Sequence, residues 1–183
     1  MTQDDLIPVS DTLTLCAINE QDVPELHQLV LKNRTWLQQS LNWPQYVGSE
    51  DDSLKNAQSN IMLHQRGYAK MFLLKFNGRI VGVLSFNSVE PSNKTAYIGY
   101  WLDEDHQGKG LLSQALQAFM AFYAARGEVR RFVIKCRVDN AASNQVALRN
   151  GFTREGCLKE AEFLNGRFDD QYIYARIIDS VSQ

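Results

Sequence analysis

The chain has 183 residues, 44% of them apolar and 22% charged, which suits one globular domain large enough to bury its own core. A formal charge of -2 argues against nucleic acid as a sequence-independent partner, because neutralising phosphates calls for a basic surface. No run approaches the roughly 20 apolar residues of a membrane span, and no N-terminal stretch has the pattern of a signal peptide. Cys16, Cys136 and Cys157 show neither C-x-x-C nor metal-ligand spacing, so no metal and no membrane is expected, and the expected setting is the cytoplasm with reduced thiols.

In chain order, residues 12–19 alternate apolar and polar and predict a first strand. Asp22 is expected to cap a helix in which Val23, Leu26, Leu29 and Val30 share a face. Residues 34–47 are aromatic, poorly periodic and broken by Pro44; they predict either a short helix and loop sealing the core or a substrate-facing lid carrying Trp36 and Trp43. A second helix opens at Ser49 or Glu50, runs to about Gln65 and ends at Gly67. Strands over 71–76 and 80–87 flank Asn77-Gly78, a strong hairpin signal. Pro91 precedes a strand over 94–102, and a helix over 111–125 buries Leu112, Leu116, Phe119, Met120 and Tyr123 before Gly127. A strand over 131–138, a helix over 141–150 closed by Gly151, and two strands (157–164 and 172–178) around Asn165-Gly166 complete the chain. No linker divides this order, so one mixed α/β domain over 1–183 is expected, its core about 7–179.

The segment 97–116 reads YIGYWLDEDHQGKGLLSQAL. A strand runs into a charged turn, then glycines, then a helix. Such a turn lets backbone N–H groups converge at a helix N-terminus, where partial positive charge favours an anion. A pyrophosphate there would meet main-chain donors from Gly108 to Leu112, with Lys109 adding charge or pointing to solvent. The Walker spacing is absent, and Gly108-Lys109-Gly110 followed by Leu111, Leu112 and Ser113 fails the dinucleotide fingerprint. Basic residues also cluster at Arg126, Arg130 and Arg131 and at Lys135 and Arg137. They suit a polyanionic ligand or, equally, a solvated rim.

Gln107-Gly108-Lys109-Gly110 resembles the Gln/Arg-x-x-Gly-x-Gly/Ala pattern of Gcn5-related N-acetyltransferases, with Leu112 standing where Gly or Ala is usual. About 30 residues later, Val138-Asp139-Asn140-Ala141-Ala142-Ser143-Asn144 and the Gly151-Phe152 exit are similar to that family's second motif. Further segments extend the likeness across nearly the whole chain: Trp36-Leu37-Gln38-Gln39-Ser40-Leu41, Ile98-Gly99-Tyr100-Trp101-Leu102-Asp103-Glu104 and Arg131-Phe132-Val133-Ile134-Lys135-Cys136. They resemble the RimJ/RimL group, and within it the enzymes that acetylate the N-terminal serine of the ribosomal stalk protein.

The resemblance implies a mostly antiparallel twisted sheet of about seven strands, helices on both faces, and two parallel strands splayed apart near Leu102 and Val138. It implies acetyl-coenzyme A as cosubstrate, its pantetheine arm against the backbone edge of Tyr100, Trp101 and Leu102 with Asn140 and Asn144 opposite. Gln107, Gly108, Lys109, Gly110, Leu111, Leu112 and Ser113 would hold the pyrophosphate. The acceptor would be the stalk protein, and a homodimer is admitted. Glu162 becomes the expected base and Ser143 the donor to the departing thiolate. By strand periodicity Glu160 shares a face with Glu162 and is a rival. Cys136, mid-strand with no histidine in local register, does not suggest an acyl-enzyme, and direct transfer in a ternary complex is expected. His106, just before the turn, is placed to touch phosphate. Acetylation of a small amine (an aminoglycoside or polyamine) and an inactive coenzyme A-binding module stand as alternatives.

Overall fold

A computed structural model describes residues 5–179; the ends of the expected 1–183 domain lie outside the described residues. One eight-stranded sheet runs in the order β1-β2-β3-β4-β5-β6-β8-β7. Its strands are β1 (Leu6–Pro8), β2 (Leu13–Ala17), β3 (Lys70–Phe76), β4 (Arg79–Glu90), β5 (Thr95–Leu102), β6 (Arg131–Arg137), β7 (Thr153–Leu164) and β8 (Arg167–Ile177). The helices are α1 (Val23–Lys32), α2 (Arg34–Gln38), α3 (Glu50–Arg66), α4 (Leu111–Ala125) and α5 (Ala141–Arg149). The strand beyond the expected seven is β1, whose three residues are too few for alternation to register.

Helices cover both faces of the sheet. The apolar stripe of α4 (Leu116, Phe119, Met120, Tyr123) packs on Phe72, Phe86 and Phe132, with Phe86 and Phe119 stacked at 4.3 Å between centroids. On the opposite face Leu73, Ile80 and Val83 meet Val23 of α1 and Ala57 of α3. Central strands covered on both sides have no polar face, which is why Val81 to Phe86 are buried without interruption.

The termini of the helices follow side-chain chemistry, with one correction. Ser49 caps α3 in a reciprocal pair with Asp52, and Gly67 ends it at φ 80°. Asp22 does not cap α1. Asn19 instead caps a short 3-10 turn at Glu20–Asp22, and Asp22 accepts from Lys75 Nζ at 2.9 Å. A half-buried cation on β3 outcompetes the helix end for that carboxylate.

Among the described residues only one neighbouring pair, β5 and β6, is parallel, and its ladder is short: Thr95–Arg131, Ala96–Phe132 and Tyr97–Val133. Beyond Tyr97 the strands part. Each keeps its outer partner, β5 pairing with β4 to Leu102 and β6 with β8 to Arg137. The parting begins where β4 carries a bulge, its register slipping between Phe86 and Ser88 opposite Ile98 and Tyr97. An extra residue in one strand raises local twist, which turns β5 away from β6.

Candidate active site

The glycine turn forms as the sequence suggests. Gly108 and Gly110 lie at φ 76° and 74°, a conformation open to glycine at little cost. Leu111 then starts α4, and Gln114 N–H is the donor that closes on Gly110 O at 3.1 Å. The amide groups ahead of Gln114 belong to the first turn, where a helix has no internal acceptors to offer.

The turn is anchored from behind by Asp103, which is fully buried. Its carboxylate accepts from Asn33 Nδ2 at 2.8 Å and Lys32 Nζ at 3.1 Å, and lies 2.6 Å from His106 Nδ1. Asn33 Oδ1 in turn accepts from Glu104 N–H. Burial pushes the Asp103 carboxyl up, but the Asn33, His106 and Lys32 bonds together hold it below the usual range. The α1–α2 corner is thereby tied to the loop that leads into α4. His106 is committed to this anchor and to the edge of the Phe76 ring, and Lys109 Nζ lies 5.8 Å from the same ring's centre.

Where β5 and β6 diverge, three cavities meet. One of about 390 Å³ lies between the turn and the start of α5, lined by Trp36, Trp101, Leu102, Gln107, Leu112 and Asn140 among others. One of about 260 Å³ fills the fork beside Cys136, Glu162 and Gln171. The largest, about 550 Å³, opens under α1 and α3 toward Trp43 and Trp101. Tyr100 borders all three, and Ser143 and Asn140 border the first two.

At this junction Tyr100 Oη donates to Ser143 Oγ at 3.0 Å. Burial pushes the Tyr100 phenol up to about 12, against the pull of the Ser143 bond, so it keeps its proton at neutral pH. Because Ser143 Oγ accepts that proton, its own O–H is left to point elsewhere. Asn140 caps α5 by accepting from Ser143 N–H at 3.2 Å, which fixes the serine's backbone. Across the fork, burial pushes the Glu162 carboxyl up, while the Gln171 amide at 3.3 Å and the Arg137 cation pull it back. Cys136 is pushed up to about 11, by burial and then by Glu162, and is a protonated thiol at neutral pH.

Two expected residues change role. Asn144 does not face the cleft: its Nδ2 donates to Asn140 O at 2.8 Å and to Arg137 O at 3.2 Å, and its Oδ1 accepts from Tyr174 Oη at 2.5 Å. It is a buried strut between β6, α5 and β8. Glu160 does not share a face with Glu162, because the β7–β8 register slips between Leu158 and Glu162 and Glu160 sits at φ 47°. Its N–H donates to Asp170 Oδ1 and its side chain is exposed, outside the fork. Leu111 buries its side chain in the core, and Ser113 Oγ accepts from Asn150 Nδ2, so both offer the turn their backbone. Trp36 and Trp43 both line cavities, one on each side of the junction.

Sequence reasoning missed the Tyr100 hydroxyl, the Gln171 contact and the Asp103 anchor. A buried aspartate two residues from a tryptophan gives no pattern; only the long-range pairing with Asn33 marks it. The basic cluster is mostly consumed within the protein: Arg131 pairs with Glu155, and Arg137 with Asp139 and Asp169.

Comparison with known proteins agrees with this geometry. The acetyltransferase (GNAT) domain family matches residues 12–153. The ribosomal-protein-serine acetyltransferase of Escherichia coli (strain K12) is 66% identical over 95% of this chain and 97% of its own length. A solved structure of RimL, a ribosomal L7/L12 alpha-N-protein acetyltransferase, in complex with coenzyme A superposes with a TM-score of 0.94 at 64% identity. It covers 96% of this chain and 99% of its own. An acetyltransferase from Salmonella typhimurium, described as modifying the N-terminal serine of L7/L12, gives 0.90 at 62% identity over 95% and 99%. Family, near full-length identity and a parted strand pair beside a glycine turn leave one assignment: this chain belongs to the GNAT acetyltransferase family.

Proposed function

We propose that the chain transfers the acetyl group of acetyl-coenzyme A to the α-amine of the N-terminal serine of ribosomal L7/L12, by direct attack in a ternary complex. The observation that carries this is the junction itself, where Ser143 and Glu162 border one small cavity reached from both sides of the parted strands. The activities named for the E. coli and S. typhimurium relatives supply the acceptor.

In this reading the 390 Å³ cavity receives the thioester arm. The edge of Tyr100, Trp101 and Leu102 pairs with the arm's amides as an added strand would, and Asn140 stands across from it. Gly108, Lys109, Gly110, Leu111, Leu112 and Ser113 present main-chain donors and the α4 dipole to the pyrophosphate, while Gln107 shapes the turn, its N–H donating to Glu104 O and its Nε2 to Leu102 O. Asn144 braces the cleft without touching the ligand.

The N-terminal amine has an unperturbed pKa near ~8, so a modest base keeps the attacking form available. Glu162 accepts the amine proton, directly or through one water, as the new C–N bond forms and the C–S bond breaks. Its raised basicity suits that task. Ser143, oriented by Tyr100, gives its proton to the thiolate and recovers one from solvent through the open cavity.

Thiol release from acetyl-coenzyme A with L7/L12 as acceptor tests this, with intact mass reporting one acetyl per chain. Glu162→Gln should lower kcat by about 10²- to 10⁴-fold, while Glu160→Gln stays within about two-fold. Coenzyme A binding without thiol release would return the inactive binding module. The pH profile adds a sign. Glu162 must be ionised to act, and burial raises its pKa, so wild-type kcat should fall on acidification at a pH above the ordinary glutamate value of about 4.3. Residual activity of Glu162→Gln should lack that limb.

A further inference from the structure

The largest cavity is not used by any step above, yet it adjoins them. It shares Leu41, Asn87, Gly99 and Tyr100 with the fork cavity that Glu162 borders. The passage is kept open by residue choice. A Cβ on Gly99 would fall 2.5 Å from Asn87 Nδ2, so only glycine lets the Asn87 amide lie there. Asn87 Oδ1 accepts from Ser85 Oγ at 2.8 Å, which leaves its Nδ2 donors for a carbonyl passing through. Beyond the passage the apolar part of the wall is Ile18, Val23, Met71 and Val83, flanked by Trp43 and Trp101 with ring centres 6.3 Å apart, and Asn56 and Asn60 of α3 are polar members of the same wall.

We propose that this cavity receives the acceptor's second side chain and selects an uncharged apolar one there. The inference rests on the α-amine reading, because an amine held at Glu162 places the following residue at the passage. The charge balance of the wall decides the chemistry. Of its ionisable side chains, Asp52 is an acid bound to the Ser49 N–H, and His27 is buried and engaged with Ser53 Oγ at 2.7 Å. Among the described residues no Lys or Arg lines it. A carboxylate entering would meet the Asp52 charge with no lining cation to balance it, whereas an apolar side chain gains contact with Ile18, Val23, Met71 and Val83.

A panel of otherwise identical peptides, serine first and the second residue varied, reads this out as kcat/KM. Valine, leucine and isoleucine should exceed aspartate and glutamate by about 10- to 100-fold. Asn60→Lys, a change on the partly exposed face of α3 at the cavity wall, should raise the glutamate peptide by about 10-fold and leave the KM for acetyl-coenzyme A unchanged. Equal rates across the panel, or an Asn60→Lys enzyme that gains nothing on the glutamate peptide, overturn the cavity's role while the α-amine reading stands. Acetylation of no peptide at all overturns both.

Discussion

Two hairpins of this molecule close on the same dipeptide and end as different things. Asn77-Gly78 joins β3 to β4 at φ 51° and 80°, and Asn165-Gly166 joins β7 to β8 at φ 50° and 84°. Both have the two positive φ values that match strand twist in a two-residue loop. The first pair is covered on both faces by helices, and Phe72, Leu73, Leu74 and Leu84 are wholly buried. The second is the sheet's far edge, with Phe163 and Phe168 exposed and in contact at 4.9 Å. Its ladder slips twice, between Arg154 and Gly156 and again between Leu158 and Glu162. Turn chemistry fixes closure in both. What covers the strands decides whether they hold the fold or carry a side chain such as Glu162 into a cleft.

The strongest way to break that contrast is truncation of one aromatic from each hairpin. Phe72→Ala should cost about 3–5 kcal/mol in urea denaturation, since its ring packs against Phe119, Tyr123 and His64 with no solvent contact. Phe163→Ala, half exposed, should cost less than about 1 kcal/mol. Equal losses would mean the edge hairpin is core after all. A smaller effect sharpens the similarity instead. Neither Gly78 nor Gly166 has an atom within 4 Å of an added Cβ, so Gly78→Ala and Gly166→Ala should each lose only the backbone penalty, about 1–2 kcal/mol, and agree within about 0.5 kcal/mol.

The hairpins, the helices and the glycine turn were legible because each is written locally, in dipeptides, caps and a 3.6-residue period. The features that fell outside are those set by distant partners. Asp22 looks like a cap until Lys75 arrives from β3, and Asn144 looks like a ligand contact until Tyr174 arrives from β8. Strand period placed Glu160 beside Glu162 because a bulge has no composition of its own, and the slip at Asn87 that opens the fork is silent for the same reason. The junction of three cavities lies further still from the sequence, since it depends on how far β5 turns once the parallel ladder ends.

Glu160 offers the finest test of that bulge. A non-glycine residue at φ 47° bears about 1–2 kcal/mol of steric strain, which glycine removes, while glycine's greater freedom in the unfolded chain costs about 0.5–1 kcal/mol in return. Glu160→Gly should therefore leave stability unchanged or raise it by at most about 1.5 kcal/mol. It should also leave kcat near wild type, because the Asp170 carboxylate still accepts the backbone N–H that sets the bulge. Glu160→Val keeps the N–H but puts a β-branched side chain where it cannot sit; relaxing it would straighten the strand and swing Glu162 away from Gln171. Its kcat should fall although no carboxylate of the fork is touched. If Glu160→Gly instead loses activity as Glu162→Gln does, the Glu160 carboxylate itself takes part, and the bulge is not what separates the two acids.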